Sequence, residues 1–537
     1  MTGVVRARVV VVGGGPVGLL LACELAAFGV ETVVLEAREE VSGQPRATTL
    51  HARTVQCLSR RGYLGVLADA GPDAGRSTGA GLGAGAGQLP RAGGVSGGSA
   101  FHFAGMAGLE IEVPAGEPVA VVKCVQADLE RLLEVRARGA GVDVRRGHRV
   151  HGVEEGPDGV RVEAAGPDGL MAFDADFVVG ADGARSVVRE LAGFASRTWP
   201  ATVSALAGDV RLERVDALRP GWHRTARGWI LAKDAGDGVT RLRTLNCSGA
   251  HPDRHAPLGL EELRAEVSFL AGRDIAMGGP RWLSRFSDFS RLASSYRKGR
   301  VLLVGDAAHV HFPIGGQGLS TGLLDAVGLA WKLAFTVRGA AGEGLLDSYG
   351  AERRPAARRV IDHTRAQLAL MRPDPELDPL RNLFGELMAR GGAEGAVLAS
   401  MVSAQDTVLP ARGADASPWE GRFVPNVVLS AGQDRTDVAG LLGEGRPLLL
   451  LFGERAGRYA AQVRAWSGLI RVVRAEPVAE LDCEALLIRP DGYAGWAAEG
   501  GELDAALQAY LGPGERVEAA GELTSGVVAG ESVAVAD

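Results

Sequence analysis

The sequence is short of three things, and each shortage removes a class of protein. Only five cysteines occur in 537 residues, Cys23, Cys57, Cys124, Cys247 and Cys483, and no two form a C-x-x-C pair. Such spacing supplies neither a zinc-ligand set nor a disulfide framework, and predicts a reduced, cytoplasmic setting. Positive charge is in deficit: 58 Lys and Arg stand against 65 Asp and Glu, a net charge of -7 with a pI near 5.9. That balance suits neither nucleic acid nor an anionic membrane. Long apolar runs are also missing, since no uninterrupted stretch reaches the length that spans a bilayer. Arg6 and Arg8 precede an apolar run as in a signal peptide, but three glycines and a proline break it. Glycine itself is abundant, 77 residues with no three-residue period, which excludes collagen and points to turns and close backbone approach.

What is present begins at the N-terminus. The run Val9 to Val12 breaks into Gly13-Gly14-Gly15-Pro16-Val17-Gly18 and then into the helical text Leu19 to Phe28. A strand, a tight turn and a helix in that order make a dinucleotide fingerprint. Gly13 permits the turn, Gly15 lets a pyrophosphate approach the backbone, and Gly18 lets the helix lie close on the strand. Glu36 closes the next strand, about 20 residues on, where such a fold needs an acceptor for a ribose hydroxyl.

A length of 537 residues predicts two to four domains. Arg46 and Arg53 follow the second strand, and their guanidinium forks suit phosphate or a substrate oxygen. From Gly71 to Gly98 the composition is mostly Gly, Ala and Ser, which predicts a loose loop. Alternation over Phe101–Phe103 and Leu109–Val113 predicts strands, and Val125–Leu133 predicts a helix with Gln126 at its head. The run Phe177 to Gly180 then delivers Ala181-Asp182-Gly183 at a strand end, followed by a helix carrying Arg185 and Arg189 on one face. Residues 201–283 read mainly as strands, with Trp222, Trp229 and Trp282 as candidates to floor an aromatic pocket. A second strand end presents Gly305-Asp306-Ala307-Ala308-His309, then Phe312-Pro313-Ile314-Gly315-Gly316-Gln317-Gly318 and a helix from Leu323 to Val337. Free backbone N–H groups there suit an anionic or carbonyl-rich ligand. A cation held by Asp306, His309 and His311 is the competing reading, with no further ligand cluster beside it. After helical text to about Ser403, short strands at Val424–Val427, Leu448–Phe452, Leu469–Val473 and Ala485–Arg489 predict a separate small α/β domain.

Three motifs in this order, G-x-G-x-x-G, Gly-Ala-Asp-Gly and Gly-Asp-Ala-Ala-His with Pro and Gly-Gly-Gln-Gly, resemble the class A flavoprotein monooxygenases, the para-hydroxybenzoate hydroxylase-like enzymes. The C-terminal Arg489-Pro490-Asp491-Gly492-Tyr493 run, ending at Trp496, is similar to the thioredoxin-like tail of the phenol hydroxylase and polyketide aromatic hydroxylase branch. The implied fold class is α/β: a Rossmann-like FAD-binding domain (1–75 with 101–180 and 281–400), a mixed β-sheet substrate domain (76–100 with 181–280) and a thioredoxin-like domain (401–537). The implied cofactor is FAD, held by Gly13, Gly15, Pro16, Gly18, Glu36, Arg46, Gln126, Asp182, Asp306, Pro313, Gly315, Gly316, Gly318, Leu319 and Ser320. No second G-x-G-x-x-G occurs, in keeping with a family in which NADPH (or NADH) binds transiently. Where relatives carry an asparagine, this chain has Ser320, and Gly328 replaces another.

By the same resemblance, one oxygen of O2 passes through a flavin C4a-hydroperoxide to a polycyclic aromatic polyketide, with hydroxylation expected first. Pro313 would lie against the flavin ring, and Arg53 would steady an oxyanion if the reaction were instead Baeyer–Villiger insertion or ring cleavage. Inactivation of an aromatic antibiotic is a related alternative. A flavin-binding redox sensor without turnover and a nicotinamide-only dehydrogenase are the readings from other classes. The expected partner is the small-molecule substrate, with no nucleic acid or membrane, for a monomer or homodimer.

Overall fold

A computed structural model describes residues 4–44, 47–64, 99–253, 256–342, 344–432, 434–454 and 456–513. Arg46 and the Gly71–Gly98 segment lie outside them. The architecture is mixed α/β. Its first sheet is parallel at the centre, in the order Val301–Leu303, Gly169–Gly180, Val4–Val12, Thr32–Glu36, Asp143–Arg146. Val4–Val12 alternates up to Arg8, where only Gly169–Gly180 pairs with it, and is continuously buried from Val9 onward, because both faces there are covered. Each Val or Leu so buried contributes about 1.5–3 kcal/mol relative to exposure. The helix Pro16–Ala27 is apolar all round for the same reason, packed against Gln126–Gly139 on one side and Gln317–Val337 on the other.

The second sheet is antiparallel, in the order Gly221–Thr225, Gly228–Asp234, Thr240–Asn246, Ser204–Leu212, Met277–Ser287. Its last strand carries the sheet across position 280 to Ser287, so the sheet draws on sequence expected to belong to the FAD-binding part. The reading of 201–283 as mainly strands missed the helix Leu260–Ala271. Leu263, Val267 and Leu270 recur at helical spacing between Gly259 and the left-handed Gly272, and they cover one face of the sheet. The opposite face is left to line a cavity.

The C-terminal unit has a four-stranded sheet in the order Arg471–Ala475, Leu448–Phe452, Ala485–Ile488, Ala494–Ala497, one parallel pair followed by two antiparallel ones, closed by the helix Leu503–Leu511. Val424–Val427 is not a strand. Pro425 has no N–H, and the neighbouring donors go elsewhere, Val424 N–H to the Gly492 carbonyl at 3.0 Å and Asn426 N–H to Glu117 at 2.8 Å. Pairing starts only at Val428–Ala431. All five cysteines are unpaired, and Cys483 is the single thiol of this unit, so it holds no dithiol.

Buried charge ties this unit to the rest. Arg489 binds Glu352 through two 2.8 Å hydrogen bonds, Lys332 meets the same carboxylate at 2.7 Å, and Trp331 Nε1 donates to Asp491 at 3.0 Å. Burial alone would raise the Glu352 carboxyl; Arg489 and Lys332 outweigh it and hold the group at about 2, while burial pushes Lys332 down to about 8. Arg53 and Arg60 lie over the two faces of contact with Phe423, 3.8 and 4.0 Å from the ring centroid. Arg489→Ala leaves Glu352 and Asp491 without their shared guanidinium and is expected to cost about 3–5 kcal/mol in denaturant unfolding. Arg358→Ala, which breaks an exposed pair with Asp362 on one helix, should cost at most about 0.5 kcal/mol. Equal losses for the two would show that the buried network does not hold the units together.

Candidate active site

One large cavity, about 1040 Å³, runs from the carboxyl ends of the parallel strands to the uncovered face of the antiparallel sheet. Three helices point their N-termini into it: Pro16–Ala27 through Gly15 and Pro16, Gln126–Gly139 through Gln126, and Gln317–Val337 through Gly316 and Gly318. None of the three has a side-chain cap. Gln126 N–H is taken by the Ala47 carbonyl at 3.1 Å, so the starts of Pro16–Ala27 and Gln317–Val337 are the ones left for a ligand, and their dipoles favour one rich in phosphate and carbonyl oxygen.

The fingerprint glycines play three different parts. Gly13 has φ of 112°, and a Cβ there would lie 2.4 Å from the Ala181 carbonyl oxygen. A Cβ on Gly18 would come within 2.0 Å of the Gly13 oxygen, so this glycine lets the helix close onto the turn. On Gly15 a Cβ would meet nothing within 4 Å, because it would project into the cavity. Glu36 is aimed by backbone donors, accepting from Gly14 N–H at 2.7 Å and Arg38 N–H at 2.9 Å, and keeps lone pairs for a ribose. Gln126 faces the same space and braces Ala47 N–H at 3.4 Å.

At the second strand end Asp306 lines the cavity beside Pro313, which is exposed into it. Gly315 and Gly316 then adopt left-handed φ values of 74° and 65°, a turn that only glycine makes without strain, and present the helix start together with Gly318 and Leu319. His51 holds this turn by donating from Nε2 to the Gly315 carbonyl at 2.8 Å. Burial pushes His51 down to about 4, and does the same to His102 and His311. Nδ1 of His51 and His102 and Nε2 of His311 are buried without partners. All three rings are thus neutral at pH 7.

Several expected site residues stand elsewhere. Arg53 does not line the cavity: its guanidinium donates to Gln56 and to the Gln405 carbonyl, both at 2.7 Å, and stacks on Phe423, so steadying an oxyanion is beyond its reach here. Ser320 turns inward and accepts from His51 N–H at 3.1 Å. Gly18 acts through packing, as above. Asp182 lines the cavity, but its Oδ2 caps the helix Val187–Leu191 at Val187 N–H (2.7 Å) and Val188 N–H (3.2 Å), and Oδ1 is buried without a partner. Because that helix starts at Val187, Arg185 precedes it and shares no helical face with Arg189, whose guanidinium binds the Ala307 carbonyl. The competing cation site finds no support: His309 Nε2 turns to Asp325 at 2.7 Å and His311 Nδ1 to the Phe312 carbonyl at 2.9 Å.

One feature, the role of Asp325, went unread in the sequence. Asp325 is fully buried, accepting from Gly305 N–H (3.1 Å), His309 and Arg353 (2.8 Å). Its neighbour Gly328 draws attention as a departure from a motif, which hides the carboxylate's role. The sheet face across from Pro313 carries Trp222, Trp229, Leu231, Leu245, Trp282 and Phe286. All three expected tryptophans are there. Phe101 and His102 stack at 4.9 Å, and His102 meets Trp222 edge-on at 5.1 Å.

Comparison with known proteins agrees with this geometry. A family model described as "FAD binding domain" matches residues 6–364, and one described as "Aromatic-ring hydroxylase, C-terminal" matches residues 417–514. The chain is 37% identical over 530 residues to the 12-dehydrotetracycline 5-monooxygenase/anhydrotetracycline 6-monooxygenase of Streptomyces rimosus, covering 95% of this chain and 99% of that one. It is 38% identical over 509 residues to the dialkyldecalin synthase of Streptomyces rugosporus, covering 94% and 99%. The solved structure of the anhydrotetracycline hydroxylase from Streptomyces rimosus matches with a TM-score of 0.81 at 36% identity, over 95% of this chain and 99% of that one.

Two measurements follow from the site. Gly15→Val meets open space at a φ of -76°, so it should keep the unfolding midpoint and lose the flavin, whereas Gly18→Val should lower the midpoint itself; flavin retention by the Gly15 variant would refute the assigned approach. Histidines held near 4 against an ordinary 6.5 take up protons more readily when unfolded. Their stabilising effect is complete above 6.5 and is lost as pH falls toward 4. His311→Asn should therefore flatten the fall in thermal midpoint across that window, and an unchanged slope would discard the assignment.

Proposed function

The chain belongs to the flavoprotein aromatic-ring hydroxylases, FAD-binding monooxygenases, and from that premise we propose that it hydroxylates a polycyclic aromatic polyketide, using O2 and NADPH. The observation that carries this reading is the continuity of the cavity: a cradle for a phosphate-bearing cofactor opens, past Pro313 and the Gly315–Gly318 turn, onto a wall of tryptophan and phenylalanine. A fused planar ring system matches that wall in shape and polarity.

The residues fit FAD. The open space over Gly15 would admit a pyrophosphate, Glu36 would accept from the adenosine ribose, Gln126 and Asp306 would hold the ribityl chain, and Pro313 with the Gly315–Leu319 backbone would hold the flavin ring. When bound, the flavin supplies the redox chemistry and oxygen activation that no side chain of the site can perform. The chain's own residues bind, orient and exclude water. N–H groups at the start of Gln317–Val337 would favour negative charge on the group held there. Neutral His102 lines the cavity between Phe101 and Trp222 and would add its ring to the wall that meets the substrate. The aromatic wall holds the substrate ring close to the flavin and keeps water away from the reacting carbon.

The test is anaerobic. Mixing holoenzyme with NADPH and a panel of polycyclic phenols and quinones should show a compound that accelerates loss of the oxidised-flavin absorbance, and admitting air should yield a product heavier by one oxygen. Separating a new hydroxyl from a ring-inserted oxygen by NMR then decides between hydroxylation and Baeyer–Villiger insertion. A product of unchanged mass formed without NADPH would sink the proposal and move the chain toward ring-forming chemistry like that named for the dialkyldecalin relative. Failure of every compound to accelerate bleaching would favour a sensor.

A further inference from the structure

The antiparallel sheet alternates strictly between its two faces. Along Gly228–Asp234, Trp229, Leu231 and Lys233 line the cavity while Ile230 and Ala232 pack under Leu260–Ala271. Along Thr240–Asn246, Arg243 and Leu245 face the cavity and Leu242 faces the helix. Register then orders the cavity wall into rungs. One rung is apolar, with Trp229 opposite Leu245. The next sets Arg243 between Leu231 and Ala207, with Ser284 beyond Ala207. The third sets Lys233 opposite Arg241, then Asp209 and Trp282. Lys233 and Arg243 are therefore diagonal neighbours, roughly 7–8 Å apart. Lys123, at the end of strand Val121–Lys123, also lines the cavity, bonded only loosely to Thr49 at 3.3 Å.

One carboxylate answers these four cations, and it is already engaged: Asp209 takes Arg241 in a bidentate pair at 2.7 and 2.8 Å. Among the described residues, neither Arg243 nor Lys233 has a hydrogen-bond or ion-pair partner. Both are pushed down from their ordinary range, by burial first and by neighbouring cations next. In a protein of net charge -7, an uncompensated cationic rung on a cavity wall is a cost that an anionic ligand would remove.

We propose that Arg243, flanked by Lys233 and Lys123, is an anion subsite that selects substrates carrying an ionised oxygen acid, a phenolate, enolate or carboxylate, on one edge of the fused rings. The inference rests on the cavity being the substrate site. With the charged edge against Arg243, the apolar rung at Trp229 and Leu245 takes the neutral rings, so the charge fixes which ring is carried toward the turn at Pro313. The same anionic chemistry could come from the 2′-phosphate of NADPH, and the experiment separates the two sources.

Oxidised holoenzyme is titrated, without reductant, with anthraquinone-2-carboxylate and with anthraquinone-2-carboxamide, and binding is followed by equilibrium dialysis. The carboxylate should bind on the order of tenfold more tightly, the loss expected for one charge-assisted hydrogen bond. Arg243→Gln should abolish the difference while leaving carboxamide affinity and flavin content unchanged, and Arg243→Lys should restore part of it. If Arg243→Gln does not fold, Lys233→Gln carries the test, with a smaller fall in carboxylate affinity expected. Equal affinities, absence of binding by either probe, or a difference that survives substitution overturns the proposal. So does an Arg243→Gln protein that, in the same dialysis, loses affinity for NADP+ but not for NAD+, which would assign the rung to the nucleotide phosphate. No turnover is needed, so failure here is distinct from failure of the monooxygenase reading.

Discussion

The carboxylate of Asp325 is the constraint on which the rest of the site depends. It sits with no solvent exposure on the helix Gln317–Val337 and takes three donors at once: the N–H of Gly305, the ring of His309 and the guanidinium of Arg353. Burial by itself would raise its pKa; His309 and Arg353 outweigh burial and hold it ionised. Such a charge is tolerated only where every lone pair is answered, so the groups that answer it are fixed in place. Gly305 precedes Asp306 at the strand end, His309 follows it, and the helix that carries Asp325 begins at the Gly315–Gly318 turn. One buried ion thereby sets the distance between the two edges of the flavin cradle.

From that point the order spreads outward through charge. Arg353 and Glu352 are adjacent on the helix Leu345–Met371, so the guanidinium that answers Asp325 is followed in the fold by the Glu352–Lys332–Arg489–Asp491 network. The C-terminal unit is bound through the same two helices that shape the active site. Its four-stranded sheet carries no dithiol, and its contacts with the rest are packing and charge: Phe423 receives Arg53 and Arg60, and Arg489 and Asp491 close over Trp331. The Arg-Pro-Asp-Gly-Tyr run is thus a clamp.

The cradle and the chamber are built by opposite means. On the cofactor side, Pro16–Ala27 and Gln317–Val337 arrive without side-chain caps, which leaves donors for the ligand to satisfy. On the substrate side, the sheet presents bulky aromatic surface with a few cations and one paired carboxylate. The two ends of the cavity therefore differ in what they offer a ligand, backbone donors at one and bulky side chains at the other.

Much of the cofactor side was legible in the sequence because its chemistry is local. Gly13, Gly15 and Gly18 act within one turn, where strand, helix and acid in register mark them, and Pro313 and Gly315–Gly318 lie within another, marked by the resemblance of their motif; likewise the apolar run Val9 to Val12 could only be a buried strand. Roles that depend on where a side chain ends up were not legible. Arg53 reads as a free cation until Gln405 and Phe423, far along the chain, are seen to occupy it. Asp325 and Arg243 do not show their roles locally, since one is defined by three partners from two distant segments and the other by strand register. Sequence periodicity determined the elements and the backbone donors of this protein, and tertiary structure decided which charges would meet, because burial and pairing are set between segments that only folding brings together.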